Sequence, residues 1–138
     1  MAKNTVNENA SYTATIRESS KELSAKERVM FKDFSNAKSM VDYVREAREQ
    51  GGKATIDVDS YVVIDVHNPK AKDNTDYVGY LVIDKNGEKY YTSSNAFWSA
   101  FANIYGEMKD SDEEWGVELV LIPSNNYKGK EILTCSLI

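Results

Sequence analysis

Residues 54–67, Ala-Thr-Ile-Asp-Val-Asp-Ser-Tyr-Val-Val-Ile-Asp-Val-His, constrain the fold more than any other stretch. Ile56, Val58, Val62, Ile64 and Val66 fall on one side of the alternation. Asp57, Asp59, Tyr61, Val63, Asp65 and His67 fall on the other, which is the period of a pleated strand. The spacing predicts one long strand, around which the remaining elements must be arranged.

Partners for it are present on both sides. Ser11 to Arg17 alternates with Tyr12, Ala14 and Ile16 on one face. Tyr77 to Ile83 runs apolar into Asn86-Gly87, the preferred dipeptide of a two-residue hairpin turn, and Glu88 to Thr92 returns as its partner. Val117 to Ile122 and Lys130 to Ile138 read as two closing strands around a loop containing Pro123 and Gly129. The short apolar run Lys26 to Phe34 fits a strand or a helical turn and is taken as a strand.

Two helices interrupt this order. Ser35 and Asn36 offer an N-cap to Met40, Val41, Val44 and Ala47 at helical spacing, ended by Gly51-Gly52. Ser93 and Ser94 cap a second helix, running to Lys109, whose stripe is Phe97, Trp98, Phe101, Ile104, Tyr105 and Met108. Ser111-x-x-Glu114 has the form of a capping box, but a β-like run follows it and no helix is expected there.

The element order predicts a mainly β fold with two helices: a five-stranded OB-like Greek-key barrel, with a helix between strands three and four. The extra helix near residues 35–50 would be an insertion between strands one and two. An α+β sheet with two helices on one face shares the same order. With 138 residues, 41% of them hydrophobic, the chain suits one domain over residues 11–138 after a flexible arm at 1–10. No apolar run approaches a membrane span, and the polar start lacks a secretory pattern, so a soluble, cytoplasmic protein is expected.

Single copies of Cys135 and His67 exclude an internal disulfide, a cysteine-cluster zinc site and a two-histidine metal motif. His67 with Asp65 nearby is the one candidate base, with no nucleophile identified beside it. Cys135, between Leu133 and Leu137, reads as a buried thiol. Asp57, Asp59 and Asp65 share a strand face but lack calcium-loop spacing. No P-loop or G-x-G-x-x-G motif is present, and no cofactor is expected.

Tyrosine is abundant, nine in all, and Tyr61, Tyr80, Tyr90, Tyr91 and Tyr127 fall on expected strands and loops. If Ile56, Val58, Val62 and Ile64 fill a barrel, Tyr61 points outward, and Tyr80 does likewise beside Leu81 and Ile83. Lys128 and Lys130 flank the last loop, with Arg28, Lys32, Lys85 and Lys89 as further cations. Bases stack on rings and phosphates meet ammonium groups, so this interleaving suits a sequence-tolerant groove for single-stranded DNA. The net charge of −5 argues against an indiscriminate polycation without excluding a local positive groove.

The closing segment, from Val117 through Pro123-Ser-Asn-Asn-Tyr-Lys-Gly-Lys130 to Ile138, resembles the end of small bacteriophage single-stranded DNA-binding proteins. The similarity extends back through Asp84-Lys-Asn-Gly87 into the following helix and, more faintly, to Ala54. It implies an OB-type fold and cooperative coating of single strands during phage DNA replication or recombination in the bacterial cytoplasm, by a non-enzymatic protein that can self-associate on DNA. A DNA role carries over to Tyr127, Lys128 and Lys130. Residues 25–52 have no counterpart in the resemblance. A different class remains beside it: an acidic interaction protein that presents Asp57, Asp59, Asp65 and residues 110–114 as a DNA mimic to a host nucleic-acid-binding enzyme.

Overall fold

The computed structural model describes residues 13–69 and 75–138. The expected arm at 1–10, Tyr12, and residues 70–74 of the loop after Pro69 lie outside them. Among the described residues, eight strands form two sheets accompanied by three α-helices. The first sheet has the spatial order β1 (Thr13–Ser19), β4 (Val58–His67), β5 (Asp76–Asp84), β6 (Lys89–Thr92), β2 (Lys38–Ser39). The second is β3 (Ala54–Ile56), β7 (Val117–Pro123), β8 (Glu131–Leu137). Neighbours are antiparallel except β2 and β6, which run parallel.

The expected single strand over 54–67 is divided at Asp57, with β3 in one sheet and β4 in the other. A bulge follows the division. Val58 pairs with Asp84 and Ser60 with Ile83, so Asp59 is one residue extra. An extra residue reverses the face taken by every side chain beyond it. Ile56 and Val58 therefore pack with Met40, Phe97 and Phe101, whereas Val62, Ile64 and Val66 pack with Leu23, Phe31 and Leu81. The sheet is thus covered on both faces, and Tyr61 joins the first cluster instead of facing water.

The helices follow from their caps. Ser24 Oγ accepts from the Glu27 backbone N–H while Ser24 N–H donates to Glu27 Oε1, a reciprocal capping box that starts α1 (Ala25–Lys32). The strand expected at Lys26 to Phe34 is therefore a helix, with Phe31 as its buried residue. The next helix begins later than expected. Asp33 Oδ1 accepts from Ser35 N–H and opens a single 3₁₀ turn at Phe34–Asn36, and Ser39 caps α2 (Met40–Glu49). Ser94 caps α3 (Asn95–Met108) as expected, and Phe97 and Phe101 on it are fully buried, each contributing about 1.5–3 kcal/mol by leaving water. The β5–β6 connection, residues 85–88, has four residues instead of two, closed by Gly87 N–H to Asp84 O at 3.0 Å with Gly87 at φ +88°.

The closed barrel does not form. Closure needs β6 to pair with β8, but the free edge of β6 is taken by β2, through Lys38 opposite Tyr90 and Ser39 opposite Tyr91. β8 meets α3 instead, whose N-cap Ser94 Oγ donates to Leu133 O at 3.1 Å. The architecture is two open sheets in a mixed α/β protein. The residues with no counterpart in the resemblance thus supply the strand that occupies the β6 edge, and Arg48 at the end of α2 then reaches Leu121 O (2.8 Å) and Glu131 (3.0 Å) across β7 and β8.

Candidate nucleic-acid interface

Four of the five expected stacking tyrosines are held by packing. Tyr80 is 6% exposed, stacks on Trp98 at 4.8 Å with an interplanar angle of 5°, and donates to Asn95 Oδ1. Tyr61 is half-buried, edge-on to Trp98 (5.0 Å) and Tyr105 (4.9 Å), and its hydroxyl donates to Glu18 Oε2 at 2.6 Å. Burial, then this bond to Glu18, pushes the Tyr61 phenol well above its ordinary value, so it stays a donor. Tyr90 stacks on Tyr43 of α2 at 5.1 Å, and Tyr91 meets Phe34 at 4.6 Å on the opposite face of the sheet. The alternation gave no sign that both faces were covered, which is why these rings had been expected outside.

The basic residues divide as well. Arg28 and Lys32 are exposed on α1, and Lys85 on the β5–β6 turn. Lys89 Nζ donates to Met30 O (3.0 Å) and Asp33 O (3.4 Å), where it satisfies carbonyls at the end of α1.

Tyr127, Lys128 and Lys130 stay together and exposed in the β7–β8 loop, Tyr127 at 67%. The loop is ordered by its own bonds. Ser124 Oγ accepts from the N–H groups of Asn126 and Tyr127, both at 3.2 Å, and Lys130 N–H donates to Tyr127 O at 3.1 Å. Gly129, at φ +82°, occupies the position of that turn where a side chain would be strained. An exposed ring and two exposed lysines are thus presented on one hairpin loop that needs little further ordering.

No family model, curated protein or solved structure matches this chain. The functional reading therefore rests on the geometry.

Two concave regions lie on the first sheet. One, of about 380 Å³, runs across β1, β4 and β5. Arg17 makes a two-pronged pair with Asp65 (2.6 and 3.2 Å), and His67 Nδ1 lies 2.6 Å from Asp76 Oδ1. The structure thus pairs His67 with Asp76 and not with the expected Asp65, while Thr13 is the register partner of His67 on β1. Both pairs are open to solvent, so water screens them and neither is a strong stabilising contact. The second region, of about 280 Å³, lies between α3 and the β1–β4 pair. Its walls are Glu18, Tyr61, Trp98, Tyr105 and Lys109, and of these only Tyr61 is among the binding residues expected from the sequence.

The three aspartates of the long strand do not converge. Asp59 pairs with Lys21 at 3.1 Å and Asp65 with Arg17. Among the described residues no group of three or more His, Cys, Asp or Glu side chains is placed to hold a metal ion. Nor is any helix among them long and apolar enough to cross a membrane.

Proposed function

We propose that this chain is a non-enzymatic single-stranded DNA-binding protein, similar in role to the small bacteriophage proteins that coat single strands during replication and recombination in a bacterial host. The observation that carries the reading is the β7–β8 loop: Tyr127, two-thirds exposed, stands next to exposed Lys128 and Lys130 in a loop ordered by the Ser124 bonds and the Gly129 turn. A base stacks on the ring and the flanking ammonium groups meet the adjacent phosphates. This contact tolerates any sequence, and assembly of several copies along one strand would add cooperativity.

The test is a salt series. Each lysine that neutralises a phosphate contributes about 0.7 to the slope of log affinity against log salt on a single strand. Replacing Lys128 and Lys130 together with alanine is expected to reduce that slope by about 1.4, and Tyr127→Ala to cost about 1–3 kcal/mol of binding at every salt concentration. An unchanged slope in the double variant would remove the loop from the interface. The acidic-mimic reading has less support, because Asp59 and Asp65 are tied to Lys21 and Arg17 instead of forming a free carboxylate row.

A further inference from the structure

The groove between α3 and the β1–β4 pair has the parts of a site for one nucleobase. Trp98, Ala102, Tyr105, Gly106 and Lys109 recur along one face of α3 at spacings of three and four residues. Trp98 and Tyr105 are half-buried, so each ring gives part of its surface to the groove. Tyr61 stands at 69° to Trp98 and 89° to Tyr105 and forms the back wall.

The floor between the rings is kept low. Ala102 is exposed, and a Cβ added at Gly106 would meet nothing within 4 Å. Glycine inside a helix costs about 1 kcal/mol relative to alanine. Neither a close backbone approach nor a positive φ requires it at 106. The space in front of it, about 280 Å³, is at the lower edge of small-ligand pockets, which span about 300–1,000 Å³.

Polar groups stand at the two ends. Tyr61 donates to Glu18 Oε2, which fixes the carboxylate and leaves Oε1 with no partner among the described residues. Lys109 follows the last turn of α3 with its side chain in solvent. A ring wall, a fixed acceptor and a cation at the rim match the three parts of a nucleotide: base face, base edge and phosphate.

We infer that this groove holds one unstacked base of a bound single strand, its face against Trp98 and Tyr105, its exocyclic amino group donating to Glu18 Oε1, and its phosphate near Lys109. The inference rests on the single-strand-binding reading and adds a preference that the β7–β8 loop cannot supply. Cytosine and adenine carry an exocyclic amine; thymine presents carbonyl oxygens there, which a carboxylate repels. The groove and the loop are separate contacts. Tyr105 lies 6.0 Å from Trp115, which precedes Val117 at one end of the β7–β8 hairpin, whereas the loop joins the two strands at the other end.

The experiment compares binding of oligo-dC and oligo-dT of equal length, about 16 nucleotides, to the full chain and to Gly106→Leu and Glu18→Ala. Gly106→Leu fills the groove, and leucine is the better helix former, so its thermal midpoint should equal or exceed that of the parent protein. The parent is expected to bind dC about fivefold tighter than dT. Gly106→Leu should weaken dC binding about tenfold while remaining folded, and Glu18→Ala should erase the dC preference. Equal binding of dC and dT by the parent, with no effect of a folded Gly106→Leu, overturns the base site and leaves the loop reading standing. Failure to bind either oligonucleotide overturns both.

Discussion

Cys135 shows what burial does to a single side chain. It lies on β8, 8% exposed, and burial pushes its thiol up to about 12, so almost no thiolate exists at neutral pH. A thiol reagent should therefore label the native protein slowly and the unfolded protein fast; rapid labelling of the native state would contradict this placement. Its position between Leu133 and Leu137 was legible in the sequence. The tyrosines were less so. Alternation gives the parity of a strand residue but not whether its face is covered, and the extra residue Asp59 reverses that parity within β4. Tyr61 and Tyr80 were thus expected on an open platform, whereas α3 covers them. Only Tyr127, in a loop with no alternation to mislead, sits as exposed as the sequence implied.

At the scale of elements, caps decide more than apolar runs. Ser24-Ala-Lys-Glu27 and Ser111-Asp-Glu-Glu114 illustrate this: both serines precede a glutamate by three residues, yet only the first starts a helix. Ser111 Oγ instead accepts from Glu113 N–H in a local turn. The Ser24 signature was the available sign that residues 25–32 are helical. β2 left no such sign, because two residues carry no period. Ser94 has two roles, capping Phe97 N–H (3.1 Å) and donating to Leu133 O (3.1 Å), so Ser94→Ala should cost about 1–2 kcal/mol in denaturant unfolding. Ser111→Ala should stay within about 0.5 kcal/mol. Equal losses from the two would mean that Ser94 does not join α3 to β8.

For the whole molecule, the two-sided cover of the first sheet produces a pH dependence. Burial raises the phenols of Tyr61, Tyr80 and Tyr90, that of Tyr90 to about 12. The folded state then holds protons that the unfolded chain releases near pH 10, so stability is intact below about 10 and falls as pH rises toward 12. Thermal midpoints measured from about pH 8 to about pH 11 should decline above 10, and Tyr90→Phe should make the decline shallower; a flat profile would show that these rings are not buried as described. The strand and helix order was largely legible, but closure of the sheet was not, since it turned on whether β8 or the unreadable β2 occupies the β6 edge. Single-strand binding is the proposal on which the other functional predictions depend. Its most direct test is a titration with a labelled mixed-sequence oligonucleotide of about 16 nucleotides, single-stranded and then duplex, at about 50 mM and about 200 mM salt. Binding to the single strand is expected to weaken with salt and to exceed duplex binding at both concentrations. No single-strand binding at the lower salt, or equal binding of the duplex, would contradict it.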